Sequence, residues 1–157
     1  MYRRMLMALI GLFAATGLQA QATSPPDAAR LQQVLDAWGS LDITKPAVFY
    51  AKDAGLAFYD IAPRKYNGWS EYERSAGELF KGLKSLKFRL GDDATLHRAG
   101  DIAWATALVD GEMVSQDGSS MKLDGRWTTI WEKRGNSWVI VHDHFSVPPP
   151  SEAPKQP

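Results

Sequence analysis

Apolar residues recur along this chain with two different periods, and the change between them divides it. After a polar stretch with Pro25 and Pro26, Ala28, Leu31, Val34, Leu35 and Trp38 fall at helical spacing, which predicts an amphipathic helix ending near Gly39. A short second helix is predicted around residues 46–52. The segment "GLAFYDIAP" reads as a short strand running into a loop that Pro63 and "YNG" keep irregular. A third helix is predicted after "GWSEYE", where Ser70 and Glu73 have capping-box spacing, with Tyr72, Ala76, Leu79, Phe80 and Leu83 as its apolar stripe.

From Lys84 the period becomes that of strands. "SLKFRL" alternates, and further strands are expected at about 94–98, 101–116, 119–134 and 137–147. Turn pairs at Ala99-Gly100, Asp117-Gly118 and Gly135-Asn136 separate them. Helices first and a meander of strands last predict an α+β fold, a cone-shaped roll of N-terminal helices packed on a curved antiparallel sheet.

If Asp117-Gly118 and Gly135-Asn136 are two-residue turns, register can be counted outward from each. One face then carries Trp104, Thr106, Leu108, Trp127, Thr129, Trp131, Ile140, His142 and His144. The other carries Ala105, Ala107, Val109, Arg126, Thr128, Ile130, Val139, Val141, Asp143 and Phe145. Alternation sends Asp143 away from its two histidine neighbours, so "HDH" is not a compact ligand set. His97 would sit level with Ile102, on the order of 20 Å from the level of His144, too far to share a metal. Neither a metal nor a cofactor is expected. A slip of one residue at the last hairpin would instead bring Arg126 and Thr128 beside the histidines, making a more basic pocket suited to an anionic ligand.

The first residues change the picture of where the protein works. Arg3 and Arg4, an apolar run over residues 5–18, and small residues at Ala20 and Ala22 predict a cleavable signal peptide over 1–20 and a periplasmic or secreted product. A linker (21–27), one domain (28–148) and a disordered proline-rich tail (149–157) would follow, with no membrane association after cleavage. Without the two arginines, the 18 basic and 18 acidic residues become 16 against 18, which makes no electrostatic case for nucleic acid. The chain has no cysteine, so thiolate chemistry and disulfide staples are both excluded.

The segments "LDAW", "FYAKD", "FYDIAP", "YNGWSEY", "GDIAWAT" and "GRWTTIWEKRGNSWVIVHDHFSVP" resemble, in this order, the SnoaL-like domains of the nuclear transport factor 2-like superfamily. The resemblance implies a cone-shaped barrel with a pocket between helices and concave sheet, and commonly a homodimer through the sheet's outer surface. Compared with ketosteroid isomerase, a member of that superfamily, Asp60 stands near the general-base position, and His142, His144 and Ser146 align with pocket-facing positions. The isomerase's two oxyanion donors are replaced by Val34 and about Thr129, so steroid isomerisation by that mechanism is not expected.

The candidate catalytic residues are thus Asp60, His142 and His144. Tyr50, Tyr59, Trp69, Trp104, Trp127, Thr129 and Trp131 are candidate walls for a small, mostly apolar ligand. Val139, Val141 and Phe145 are the expected dimer face. Two functions compete: an acid/base enzyme of isomerase or hydrolase type, and a non-catalytic binding or assembly domain. For Asp60 the competing role is a turn residue that caps local backbone.

Overall fold

The computed structural model describes residues 24–148; the expected signal peptide and the tail from residue 149 lie outside the described residues. The first helix, α1 (Ala28–Gly39), begins at Asp27, whose carboxylate accepts the Arg30 N–H at 2.8 Å. It buries Leu31, Val34, Leu35 and Trp38. Four such side chains contribute about 1.5–3 kcal/mol each, so docking rather than propensity fixes a helix of 12 residues. The second helix, α2, is one turn at Thr44–Ala47, earlier than the sequence predicts.

A three-residue strand β1 (Ala57–Tyr59) pairs with β2 (Tyr66–Asn67), a strand the pattern did not suggest. Helix α3 (Trp69–Lys81) follows, capped differently from expectation. Gly68 is the N-cap with φ +83°, and Glu71 reaches back to take the Asn67 N–H at 2.7 Å. Its inner stripe is Trp69, Tyr72, Ala76 and Phe80, while Leu79 is exposed.

The long strands are β3 (Leu83–Leu90), β4 (Thr95–Ala99), β5 (Ile102–Ser115), β6 (Ser120–Arg134) and β7 (Ser137–Ser146). Together they form one curved, antiparallel-rich sheet in the order β2-β1-β7-β6-β5-β3, with β4 also on β5. The β1–β7 pair is parallel. The expected α+β roll is therefore what the chain adopts.

The register departs from the count made on the sequence at three places. The β4–β5 turn is Gly100-Asp101, because Ala99 pairs with Ile102. The β5–β6 loop has three residues, Gln116, Asp117 and Gly118, with Gly118 at φ +88°, the left-handed position that ends this loop class. The third departure is a bulge in β7, where Trp131 faces Ile140 but Ile130 faces His142, leaving Val141 outside the ladder.

The two shifts that flank β6 re-sort the faces. Toward the helices lie Ala103, Ala105, Ala107, Val109, Trp127, Thr129, Trp131, Ile140, Asp143 and Phe145, all buried. Outside lie Trp104, Thr106, Leu108, Arg126, Thr128, Ile130, His142 and His144. Phe145 thus leaves the expected dimer face for the interior. Its ring lies across Gly125, where a Cβ would come within 2.2 Å of Phe145 Cζ.

Candidate functional site

Between the helices and the inner sheet face lies a cavity of about 240 Å³. Its walls are largely apolar and carry seven aromatic side chains: Trp38 from α1, Tyr66 from β2, Tyr72 and Phe80 from α3, Phe88 from β3, Trp127 from β6 and Phe145 from β7. Leu35, Leu86, Met113 and Leu123 fill the remainder, and Ile61, Leu79 and Met121, each substantially exposed, stand where it meets solvent. Two carboxyl groups reach it, Asp60 and Asp143.

Asp143 is 2% exposed, in the middle of β7. Both its oxygens accept hydrogen bonds: Oδ2 from the Tyr50 hydroxyl, Oδ1 from Trp127 Nε1 at 3.0 Å. Trp38 Nε1 in turn donates to the Tyr50 oxygen at 3.0 Å. Tyr50 is brought here because the backbone after α2 joins the sheet beside β7, with Ala51 N–H on the Ile140 carbonyl and Ile140 N–H on the Phe49 carbonyl. Burial pushes the Asp143 carboxyl up to about 7 and the charge of Asp60 adds to that, while the Tyr50 and Trp127 donors oppose it. Burial likewise raises Tyr50 and Tyr72 well above the usual phenol range, so both stay protonated.

Asp60 follows β1 directly and is half-buried. Its Oδ1 accepts the Ile61 N–H at 2.7 Å and its Oδ2 the Tyr72 hydroxyl at 3.4 Å. Capping local backbone and facing the cavity are therefore joint properties of one side chain. Burial lifts its carboxyl to about 6 against those two donors.

The other candidate residues divide. Trp127 lines the cavity; Tyr50 stands behind its wall as the donor to Asp143. Trp69 packs on Tyr50, ring centroids 4.7 Å apart, with Lys52 Nζ 3.6 Å above its own ring. Thr129 and Trp131 are fully buried on the inner face and bond each other, Trp131 Nε1 donating to Thr129 Oγ1 at 2.8 Å. Neither they nor Val34, also fully buried, line the cavity.

His142, His144, Tyr59 and Trp104 are corrected to the outside. His142 Nδ1 lies 2.8 Å from the Ala57 carbonyl, and both imidazoles meet the Tyr59 ring edge-on at 5.5 and 5.7 Å. Trp104 is 38% exposed and stacks on His97 at 5.3 Å. Arg126 and Thr128 do join the histidines, but on the outer surface, away from the cavity between helices and sheet. The bulge at Val141 and the longer β5–β6 loop cause this, each shifting the register by one residue and exchanging faces.

Asp143, Trp38, Tyr66 and Tyr72 are the site residues that sequence reasoning missed. The available signal was a carboxylate inside the apolar run "WVIVHDHF", which a strand tolerates only outward or fully hydrogen-bonded.

This architecture is shared with solved structures. A nuclear transport factor 2-like superfamily protein from Salmonella enterica superimposes with TM-score 0.70 at 22% identity, covering 81% of this chain and 92% of that one. A suggested dehydratase of the same superfamily from Streptomyces avermitilis gives 0.66 at 16% identity, over 74% and 90%. A suggested calcium/calmodulin-dependent protein kinase II association domain from Xanthomonas campestris gives 0.66 at 17%, over 84% and 97%. At these identities the likeness shows the fold. The sequence profile of the SnoaL-like domain matches residues 28–150, and the chain belongs to that family. No curated protein matches it. Domains of this superfamily often bind small molecules and form dimers.

The carboxyls give a stability prediction. Asp143 binds its proton more tightly when folded than unfolded, where aspartate titrates near about 3.9. Its protonation therefore favours folding, and the advantage is lost as pH rises through about 7. Urea melts at pH 5 and pH 8 should show Asp143→Asn gaining on the wild type at the higher pH; a gap that is constant or widens against the mutant contradicts the assignment.

Proposed function

We propose that this domain is an acid/base enzyme acting on a small, mostly apolar molecule held in the cavity, with Asp60 as the general base. The observation that supports it is the placement of Asp60: a carboxyl on an apolar wall, lifted to about 6, is largely ionised at neutral pH yet more basic than an aspartate in water. Neighbouring Tyr72 donates to the oxygen that Ile61 N–H leaves free, which orients the carboxylate. In the reaction, Asp60 takes a proton from a carbon of the substrate, and the released electron pair moves toward an electronegative atom or leaving group. The name of the Streptomyces neighbour, a suggested dehydratase, agrees with proton abstraction of this class.

Export and pairing belong to the same reading. A cleavable leader would deliver the domain to the periplasm or beyond. Two copies would meet through the outer sheet face, where Leu108 is 55% exposed and Ile102, Trp104 and Tyr59 are also open to solvent. Of the interface expected at Val139, Val141 and Phe145, Phe145 is turned inward and has no part in this one.

Three measurements test these points. 5-Nitrobenzisoxazole, a neutral aromatic opened by removal of one C–H proton, should be consumed at a rate that rises with pH through about 6 and then levels, following the ionised form of Asp60. Asp60→Asn should lower that rate roughly a hundredfold; an unchanged rate in a folded mutant removes the catalytic reading and leaves a binding domain. Light scattering should find a dimer that Trp104→Glu converts to monomer, whereas a wild-type monomer refutes the interface. Edman sequencing of exported protein should start at Gln21 or Thr23, and an intact Met1 in that material would exclude cleavage.

A further inference from the structure

The cavity contains a charge pattern that the base chemistry of Asp60 alone does not account for. Among the described residues, the carboxyls that line it are Asp60 and Asp143, and each accepts from two donors. Asp143 takes Tyr50 and Trp127; Asp60 takes Ile61 N–H and Tyr72. These shells suit carboxylates: Trp127 Nε1 and Ile61 N–H can only donate, and the Tyr50 and Tyr72 hydroxyls, which can also accept, donate here. Yet among the described residues that line the cavity there is no Lys, Arg or His to balance either charge, and Tyr50, Tyr66 and Tyr72 are the other titratable groups close by. A buried carboxylate without a counter-charge is costly, and two near each other are more so.

The cavity that the two acids reach is also lined by Trp38, Tyr66, Tyr72, Phe80, Phe88 and Trp127. Aromatic enclosure of this kind attracts organic ammonium ions through the negative ring faces, most strongly where water is excluded. An anionic ligand would meet two like charges and no cation. A neutral ligand would fill the space but leave both carboxyls uncompensated.

We infer that the cavity's ligand is an apolar organic cation, an alkyl- or arylammonium, whose charge is the missing partner of Asp143 and Asp60 and whose hydrocarbon part is enclosed by the aromatic walls. The inference names the substrate class of the proposed catalytic cavity and rests on that cavity being the functional site. Asp143, fixed by donors from two parts of the chain, holds the ammonium, and Asp60, at the side, remains free to exchange a proton. Linkage adds a signature: the cation favours both ionised carboxyls, so its binding expels protons, and its affinity rises with pH until both are already ionised.

The probe is benzyltrimethylammonium, which has a permanent charge and no acidic N–H, compared with neopentylbenzene, its neutral isostere with carbon in place of nitrogen. Binding is followed by the fluorescence of Trp38 and Trp127 and by calorimetry at pH 6 in two buffers of different ionisation enthalpy. The cation should bind at least tenfold more tightly than the isostere, release protons, and gain affinity by about tenfold between pH 5 and pH 8. Asp143→Asn should remove most of that preference. Asp60→Asn, at a half-buried loop position, provides a second variant should the first fail to fold, and it should reduce both the preference and the proton release. An isostere that binds as tightly as the cation, or a cation affinity that is flat with pH, overturns the inference. The nitrobenzisoxazole rate uses a neutral probe, so loss of catalysis with cation binding intact, or the reverse, shows which of the two readings has failed.

Discussion

β7 spends one residue more than β6 at Val141, and the inside and outside of the sheet are assigned by that residue. Before the bulge, Trp138 and Ile140 point to the core; after it, Asp143 and Phe145 do. Without the extra residue, strict alternation from Ile140 would turn His142 and His144 inward and Asp143 out to water. The chemistry of the interior, acid rather than imidazole, thus follows from a local irregularity in strand pairing. β1 then attaches beyond the bulge, Phe58 opposite Asp143 and Tyr59 opposite His144, so the position of Asp60 depends on the same shift.

An aspartate in the middle of a core strand is tolerable only because the aromatic shell also carries polar hydrogens. Trp38, Tyr50 and Trp127 bury large apolar areas and still present an N–H or O–H. Aligned as Trp38 to Tyr50 to Asp143, with Trp127 from the other side, they offset part of the desolvation, which a phenylalanine shell could not. The offset is incomplete, since the carboxyl still holds its proton up to about 7. That residue of unfavourable energy is what a bound counter-charge would relieve.

The extent to which the sequence revealed this follows from the range of each signal. α1, α3 and the five long strands were legible because their apolar periods are sustained over many residues. β2 was not, having two residues, and neither was the parallel attachment of β1, which depends on contacts far apart in the chain. Face assignment failed because Gly118 marks a three-residue loop as readily as a two-residue one, and a bulge has no composition of its own. Asp60 was found through its place after a short strand in a loop with Pro63. For Asp143, correct alternation in the wrong register turns the side chain outward.

The two carboxyls that meet in the cavity differ in how they are held, and the difference suits different tasks. Asp143 is fixed on a central strand by a helix indole acting through Tyr50, by Tyr50 itself and by a strand indole, three separate parts of the chain. Its position is as rigid as the core, which suits a fixed charge against which a ligand is placed. Asp60 is held by the next backbone N–H and a longer bond from Tyr72, on a loop flanked by exposed Ile61. A group so placed can take up a proton inside and release it toward solvent with small torsional changes, which a base must do in every turnover. Had both acids sat on β-strands, the cavity would hold charge well but exchange protons poorly; under the proposed function, the loop position of Asp60 would supply the exchange.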